Sequence, residues 1–132
     1  MKTGRESGRS LLIVDDDEAL SQLLAWDFED LGYRVSRAAD CEQAIVTART
    51  LPFDCALLDY HLPDGDGRRL ARWLRRISPA IRMVMMSGDR AGATSGDPEP
   101  LRFAFVEKPV PAARVHRLFG GRRERIRPSL GW

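Results

Sequence analysis

In the stretch Leu-Leu-Ile-Val-Asp-Asp-Asp at residues 11–17, a short apolar run ends abruptly in carboxylates. Three further apolar runs also end in polar or charged side chains: residues 55–58 before Asp59, residues 83–86 before Ser87, and residues 103–106 before Glu107 and Lys108. Short continuous apolar runs separated by helical patterns are typical of buried parallel strands. The four runs therefore predict four strands of one buried sheet.

Helical patterns lie between these runs. A capping box formed by Asp40 and Gln43 begins the second of them, and Asp17 and Glu18 are expected to begin the first. A short alternating segment at residues 33–39 is a plausible edge strand. The stripes predicted to face the sheet are Leu20, Leu23, Leu24, Phe28 and Leu31, then Ala44, Ile45, Ala48 and Leu51, then Leu70, Leu74 and Ile77, and finally Ala112, Val115, Leu118 and Phe119.

Strand and helix alternate about five times, which predicts an α/β fold with a doubly wound, five-stranded parallel sheet. The fourth helix is the exception in this pattern. Residues 88–102 contain three glycines and two prolines but no apolar stripe, so a helix here is expected to be short or irregular, within residues 90–95.

The chain of 132 residues fits one domain. We expect a flexible N-terminal tail at residues 1–10, the domain at residues 11–120 and a basic tail at residues 121–132. No apolar stretch approaches the roughly 18 residues that a membrane span needs, and the first ten residues lack the apolar centre of a signal peptide. Cys41 and Cys55 have no metal-binding spacing, so we expect reduced thiols in a cytoplasmic protein.

Ligands of open α/β sheets bind at the carboxyl ends of the strands. The predicted strands deliver Asp15, Asp16, Asp59, Ser87 and Lys108 to that edge. Clustered carboxylates suit a hard cation such as Mg²⁺, and a hydroxyl beside an ammonium suits a phosphoryl group. The formal net charge of +2 is too small to indicate nucleic acid as the partner of the whole surface.

The complete pattern resembles the receiver domain of two-component response regulators, the CheY-like family with a flavodoxin-like fold. Its four motifs are LIVDDD at residues 12–17, LLDYHLPDGDG at residues 57–67, MMSG at residues 85–88 and VEKP at residues 106–109. Each motif alone is weak. All four in order, at strand ends and with family-like separations, are highly specific.

The resemblance implies that Asp59 accepts a phosphoryl group from a sensor histidine kinase or a histidine phosphotransfer protein. It also implies that Asp16 and Asp59 ligate Mg²⁺ directly, that Asp15 holds it through water, and that the backbone carbonyl of His61 completes the protein's share. The domain would then be a signalling module that assists only its own phosphorylation and dephosphorylation, and not an enzyme acting on other substrates.

In the same family Lys108 would pair with the phosphoryl oxygens, and Pro109 would follow a cis peptide bond. Ser87 would hydrogen-bond the phosphoryl group while Phe105, at the family's aromatic switch position, rotates inward. The implied output is a downstream protein partner or a fused output domain, with neither membrane nor nucleic acid as a partner of this domain. Regulators of this family commonly dimerise, so a homodimer stays open.

Two alternatives are kept beside this interpretation. A receiver-fold module could bind partners without being phosphorylated. A small phosphatase of the haloacid-dehalogenase type also forms an aspartyl phosphate, and Asp15 and Asp17 resemble its paired acids, with Ser87 and Lys108 in its later motifs. The arginines of the third helix, at residues 68–76, are either a solvated face or a surface for an acidic partner.

Overall fold

The computed structural model describes residues 8–88 and 104–120. In chain order its elements are β1 (Ser10–Val14), α1 (Glu18–Asp30), β2 (Arg34–Ala38), α2 (Cys41–Thr50), β3 (Cys55–Asp59), β4 (His61–Leu62), β5 (Gly65–Asp66), α3 (Gly67–Ile77), β6 (Arg82–Ser87), β7 (Ala104–Glu107) and α4 (Ala112–Leu118). Five strands form one parallel sheet in the order β2-β1-β3-β6-β7, and β4 pairs with β5 as a small antiparallel hairpin. The predicted parallel sheet is confirmed, with β2 at an edge.

The central strands are buried on both faces, which explains their continuous apolar runs. Alternate residues of β1 point to opposite sides, as the two-residue period of a strand requires. Leu11 and Ile13 join a core cluster with α1 and α4, whereas Leu12 and Val14 join a second cluster with α2 and α3. The sheet therefore separates two helical layers, α1 with α4 and α2 with α3.

The helix starts follow the predicted caps. The Asp17 side chain accepts a hydrogen bond from the backbone N–H of Leu20 at 3.1 Å, and the Asp40 side chain accepts one from Gln43 at 2.8 Å. Gly32, with φ of +94°, follows α1 in the left-handed conformation that glycine adopts easily. These contacts confirm the predicted starts of α1 and α2 and the glycine stop after α1.

Four residues assigned to the inward stripes are exposed, and those assignments were wrong: Leu23 (55%), Leu51 (49%), Ile77 (46%) and Leu118 (41%). Leu51 lies beyond the end of α2 in extended backbone, and Ile77 and Leu118 are the last residues of α3 and α4. Leu23 lies one step around α1 from the buried Leu24. A helix packed on a sheet buries one stripe, and the period alone does not mark where that stripe ends.

The beginning of the chain contributes more to the fold than a flexible tail would. The N–H of Gly8 donates to the carbonyl of Gly32 at 3.0 Å, and the buried Arg9 donates from Nη1 to the carbonyl of Phe119 at 2.7 Å. Residues 8–10 therefore pack with the sheet. The other predicted tail residues, and the short fourth helix predicted at residues 90–95, lie outside the described ranges. No helix in those ranges is long and apolar enough to cross a lipid bilayer.

Gly67 holds the β4–β5 hairpin against the end of β3. Its N–H donates to the carbonyl of Tyr60 at 2.9 Å, and a Cβ at this position would collide with the carbonyl oxygen of Asp59. The close approach therefore requires a residue without a side chain, although the backbone of Gly67 is not in the left-handed region.

We expect Gly67→Ala to lower the free energy of unfolding by about 2–3 kcal/mol, because the collision is with backbone that cannot rotate away. Thermal or urea unfolding measures the loss. Gly88→Ala is the control, since a Cβ there meets no atom within 4 Å. Equal stability of the two variants would contradict the proposed role of Gly67.

Candidate functional site

The carboxyl edge of the sheet gathers the polar residues that end the apolar runs. Asp15 follows β1, Asp59 ends β3, Ser87 ends β6 and Lys108 follows β7. The ammonium Nζ of Lys108 lies 3.1 Å from Oδ2 of Asp15 and 3.2 Å from Oδ2 of Asp59. The structure therefore brings two of the predicted carboxylates and the predicted cation into direct contact.

Asp16 completes a group of three carboxylates. Asp15, Asp16 and Asp59 each offer an oxygen within 4.8 Å of the others, and Asp15 and Asp59 are buried while Asp16 is exposed. A donor set made only of oxygens suits Mg²⁺, and the open side at Asp16 suits an ion that keeps several of its waters. The group fits the magnesium site implied by the resemblance.

The orientation of Asp15 adds to this fit. Its Oδ1 accepts a hydrogen bond from the N–H of Asp17 at 2.9 Å. Its buried Oδ2 has no hydrogen-bond partner among the described residues, although Lys108 is in ion-pair contact. Buried polar atoms without hydrogen bonds are rare and call for an explanation, and a cation beside Asp15 supplies one.

Asp59 lies in surroundings that disfavour its charge. Its Oδ2 accepts from Lys108 at 3.2 Å, and its Oδ1 accepts from the N–H of His61 at 3.3 Å. Burial, followed by the negative charge of Asp15, raises the pKa of Asp59 despite the opposing effect of Lys108. Additional positive charge at this site would favour the ionised form that a nucleophile needs.

Lys108 is fixed by both its side chain and its backbone. Burial alone would lower its pKa, but the close contacts with the Asp15 and Asp59 carboxylates and their negative charges outweigh burial and hold the pKa above its usual value. Its N–H donates to the carbonyl of Ser87 at 2.9 Å, and the following bond to Pro109 is cis, as the resemblance implied. Lys108 is therefore a permanent cation at this edge.

Ser87 is 1% exposed at the end of β6. Asp59 is in register with Met86, so Ser87 lies one residue further along the neighbouring strand. The N–H of Tyr60 donates to the carbonyl of Met86 at 2.8 Å, which holds the end of β3 against β6. The Ser87 side chain thus stands on the strand adjacent to Asp59, at the same edge of the sheet.

Phe105 lies half-buried on β7, and its ring centroid is 6.2 Å from that of Tyr60. Tyr60 was not recognised from the sequence, although it directly follows Asp59. Its ring also contacts the ring of His61, with centroids 4.7 Å apart, and the guanidinium of Arg68 at 5.2 Å. The predicted switch aromatic thus touches the residue adjacent to the predicted acceptor.

Asp64 is a second residue whose role the sequence did not indicate. Its carboxylate accepts hydrogen bonds from the N–H groups of Cys41 at 2.8 Å and Glu42 at 3.0 Å, in the first turn of α2. The hydrogen bond from Cys41 is the main cause that lowers the pKa of Asp64, and together with the bond from Glu42 it outweighs the opposing effect of desolvation. Asp64 therefore ties the hairpin after Asp59 to α2.

The paired-acid alternative finds little support in this geometry. Asp17 is exposed and caps α1, where its side chain accepts from the N–H of Leu20. Lys108 contacts Asp15 together with Asp59, which the phosphatase alternative leaves without a role. The arrangement favours Asp59 as the reactive carboxylate.

The comparisons with known proteins agree with this geometry. A family model described as the response regulator receiver domain matches residues 11–118. The chain is 42% identical over 98 residues to the transcriptional regulatory protein GltR of Pseudomonas aeruginosa, covering 68% of this chain and 39% of GltR. It is 29% identical over 113 residues to the signal transduction histidine-protein kinase BarA of Escherichia coli, covering 83% of this chain and 12% of BarA.

Solved structures with the same fold include a sensor protein from Polaromonas sp. JS666, with a TM-score of 0.75 and 28% identity over 85% of this chain and 93% of that one. A CheY-like receiver domain from Methanospirillum hungatei JF-1 has a TM-score of 0.69 and 26% identity over 83% and 88%. The chain spans less than half the length of the curated relatives GltR and BarA.

The raised pKa of Asp59 predicts a stability effect in the absence of divalent cations. A carboxyl whose folded pKa lies above its unfolded value stabilises the fold fully at low pH, and that stabilisation is lost as the pH rises through the folded pKa. Asp59→Asn removes the charge, so it should raise the melting temperature by a few degrees at neutral pH. The advantage should shrink as the pH falls and Asp59 of the wild type becomes protonated.

Asp64→Asn is the control with the opposite sign, because hydrogen bonds lower the pKa of Asp64 and stabilise its charged form. It should leave the melting temperature unchanged or lower it at neutral pH. A wild-type protein as stable as Asp59→Asn at neutral pH would contradict the unfavourable environment inferred for Asp59.

Proposed function

Because the chain belongs to the response regulator receiver domain family, we propose that it is the phosphoryl-accepting receiver of a two-component or phosphorelay system, with Asp59 as the acceptor. The observation that carries the proposal is the placement of Lys108, whose ammonium contacts both Asp15 and Asp59 at the carboxyl edge of the sheet. This places a fixed positive charge where a transferred phosphoryl group would arrive.

The choice of Asp59 among the three carboxylates rests on its partners. Asp16 is exposed, whereas Asp15 and Asp59 are buried and each accepts a backbone N–H at Oδ1. Asp59 is buried on the central strand β3 with one oxygen in a hydrogen bond to Lys108. A carboxylate is a weak nucleophile, and phosphoryl transfer depends mainly on positioning and charge stabilisation, both of which Lys108 provides here.

Asp15, Asp16, Asp59 and the backbone carbonyl of His61 would hold Mg²⁺. When bound, Mg²⁺ would supply positive charge against the phosphoryl oxygens. Lys108 would exchange its contact with the Asp59 carboxylate for one with the phosphoryl group, as a point charge. Ser87, on the adjacent strand, would donate its hydroxyl hydrogen to another phosphoryl oxygen.

The readout would begin at the same edge. As Ser87 moves toward the phosphoryl group, Phe105 would turn inward on β7. Phe105 has no hydroxyl, so its two positions differ mainly in burial. Tyr60 contacts both Phe105 and Arg68, so this movement would reach the start of α3 as well. A small local change of this kind can bias a larger surface when the side chain has two discrete positions.

The phosphoryl donor would be a sensor histidine kinase or a histidine phosphotransfer protein, and the output a downstream protein partner or a fused domain. The printed names of the relatives, a transcriptional regulatory protein and a histidine-protein kinase, are in keeping with such signalling. Both described cysteines are free, which suits the cytoplasm as the proposed location. The complete set of acceptor residues favours phosphorylation over binding without it.

The direct test is chemical phosphorylation. Incubation with Mg²⁺ and acetyl phosphate should add one acid-labile phosphoryl group to the wild-type protein, measured by intact-protein mass spectrometry. Asp59→Asn should abolish the addition, because it keeps the shape of the side chain but removes the nucleophile. Asp64→Asn is a matched control that should still be modified. A wild-type protein that binds Mg²⁺ yet stays unmodified would refute the proposal.

The metal assignment has its own test. Mg²⁺ bound only to the folded state should stabilise it by about 3 kcal/mol when it exceeds its Kd about a hundredfold. This stabilisation should appear as an increase in melting temperature when Mg²⁺ is added. Asp16→Ala should remove most of that increase. Asp17→Ala should weaken the cap of α1 but keep the full Mg²⁺ effect. Equal Mg²⁺ shifts in wild type and Asp16→Ala would exclude Asp16 as a main ligand.

A further inference from the structure

Two helices on opposite faces of the sheet carry charges of strictly opposite sign. α1 contains four acidic residues and no basic one, whereas α3 contains five arginines and no acidic residue. Neither charge set takes part in the site at the carboxyl edge. Both helices bury one stripe against the sheet, so the remaining charged surface faces outward.

One stripe on each helix has the spacing i, i+3, i+4 and i+7, which is continuous along a helix. On α1 this stripe is exposed throughout and combines two apolar residues with two carboxylates: Leu23, Trp26, Asp27 and Asp30. On α3 its two ends, Arg69 and Arg76, are exposed, whereas Arg72 and Trp73 between them are half-buried and the Arg49 guanidinium lies 5.9 Å from the centre of the Trp73 ring. Leu23 and Trp26 are 55% and 56% exposed.

The fold neutralises only part of this charge. Arg68 pairs with Asp66 at 3.2 Å, and Arg75 donates to backbone carbonyls after α3. In contrast, Asp27, Asp30, Arg69 and Arg76 are exposed and form no ion pair within residues 8–88 and 104–120. These four side chains are the charged groups of the two stripes that an external partner would meet.

The charges at the end of α1 and at the start of α3 oppose the dipoles of their helices, whereas Glu18 at the start of α1 and Arg75 and Arg76 at the end of α3 complement them. Asp27, Glu29 and Asp30 lie in the last turn of α1, where the helix end is already negative. Arg69 lies in the first turn of α3, where the helix end is positive. Like charges three or four residues apart cost further stability. In an antiparallel contact between the two helices, the acidic end of α1 would lie beside the basic start of α3. Each would then offset the unfavourable charge of the other.

We propose that α1 of one copy of this chain docks antiparallel on α3 of another copy. The guanidinium of Arg69 at the start of α3 would bind the carboxylates of Asp27 and Asp30 at the end of α1, and Arg76 would lie toward Leu23. Trp26 would be covered in the same contact and would offer its ring face to a guanidinium. On the copy that offers α1, the contact would use the end of that helix remote from Asp16.

This contact joins two different surfaces, so it does not close on itself as a symmetric dimer does. Because α1 and α3 lie on opposite faces of the sheet, one copy can use both at once. The expected product is a head-to-tail assembly that grows with protein concentration and is weakened by salt. A nucleic acid is a less suitable partner for α3, since α1 and the carboxylate edge would repel a long polyanion.

Sedimentation velocity over a range of concentrations tests the proposal. The wild type should form species larger than a dimer at low salt and dissociate at about 1 M ionic strength, where the screening length is about 3 Å. Arg69→Gln with Arg76→Gln, and separately Asp27→Asn with Asp30→Asn, should each raise the apparent Kd at least about tenfold, or about 1.4 kcal/mol. Mixing these two variants leaves one intact α1 and one intact α3 surface, so they should form a 1:1 dimer that grows no further.

The control is Arg114→Gln with Arg117→Gln, which also removes two positive charges, here from the exposed side of α4. It should leave the assembly intact. A wild type that stays monomeric at every concentration, or two variants that do not pair on mixing, would overturn the proposal. So would binding of a short single-stranded DNA that requires Arg69 and Arg76 without self-association, because it would assign α3 to a polyanion. Cooperative melting at or above the wild-type temperature would establish that all variants are folded.

Discussion

The ammonium of Lys108 contacts both Asp15 and Asp59, and these two contacts organise the carboxyl edge of the sheet. Two carboxylates are buried at neighbouring strand ends, and each repels the other at short range. One ammonium between them offsets part of that repulsion, and the backbone bond from Lys108 to Ser87 places it there. Because burial still raises the pKa of Asp59, the compensation is incomplete. The site therefore retains a deficit of positive charge that a cation can fill.

Several contacts hold the residues after Asp59, and these contacts connect the carboxylate site to α2 and α3. Gly67 bonds to Tyr60, Asp64 bonds to the first turn of α2, and Arg68 lies over the Tyr60 ring. The hairpin has little freedom to move independently of β3 or α2. A change of charge on Asp59 would consequently act on the position of Tyr60 and, through Gly67 and Arg68, on the start of α3.

The sequence predicted the parallel sheet and the convergence of Asp15, Asp59 and Lys108 because both follow from local pattern. Buried strands read as apolar runs, and parallel strands place their carboxyl ends at one edge. It did not predict the bonds of Arg9 to Phe119 or of Asp64 to Cys41, which join residues far apart in the chain. Periodicity also misplaced Ile77 and Leu118, because a helix end exposes residues that continue its apolar stripe.

The arginines of α3 divide into two groups that explain how one short helix tolerates so much positive charge. Arg68 and Arg75, on the flank toward the hairpin and β6, are bound within the domain at either end of the helix. They hold α3 on the sheet, whereas Arg69 and Arg76 on its outer side are exposed. Since Gly67 places the first turn of α3 directly against the Asp59 carbonyl, the position of that outer side is set by the same strand end that carries the candidate acceptor. The charged side of α3 and the carboxylate edge are thus joined through the contact of Gly67 with Asp59. A displacement of the strand end would therefore displace the start of α3 as well.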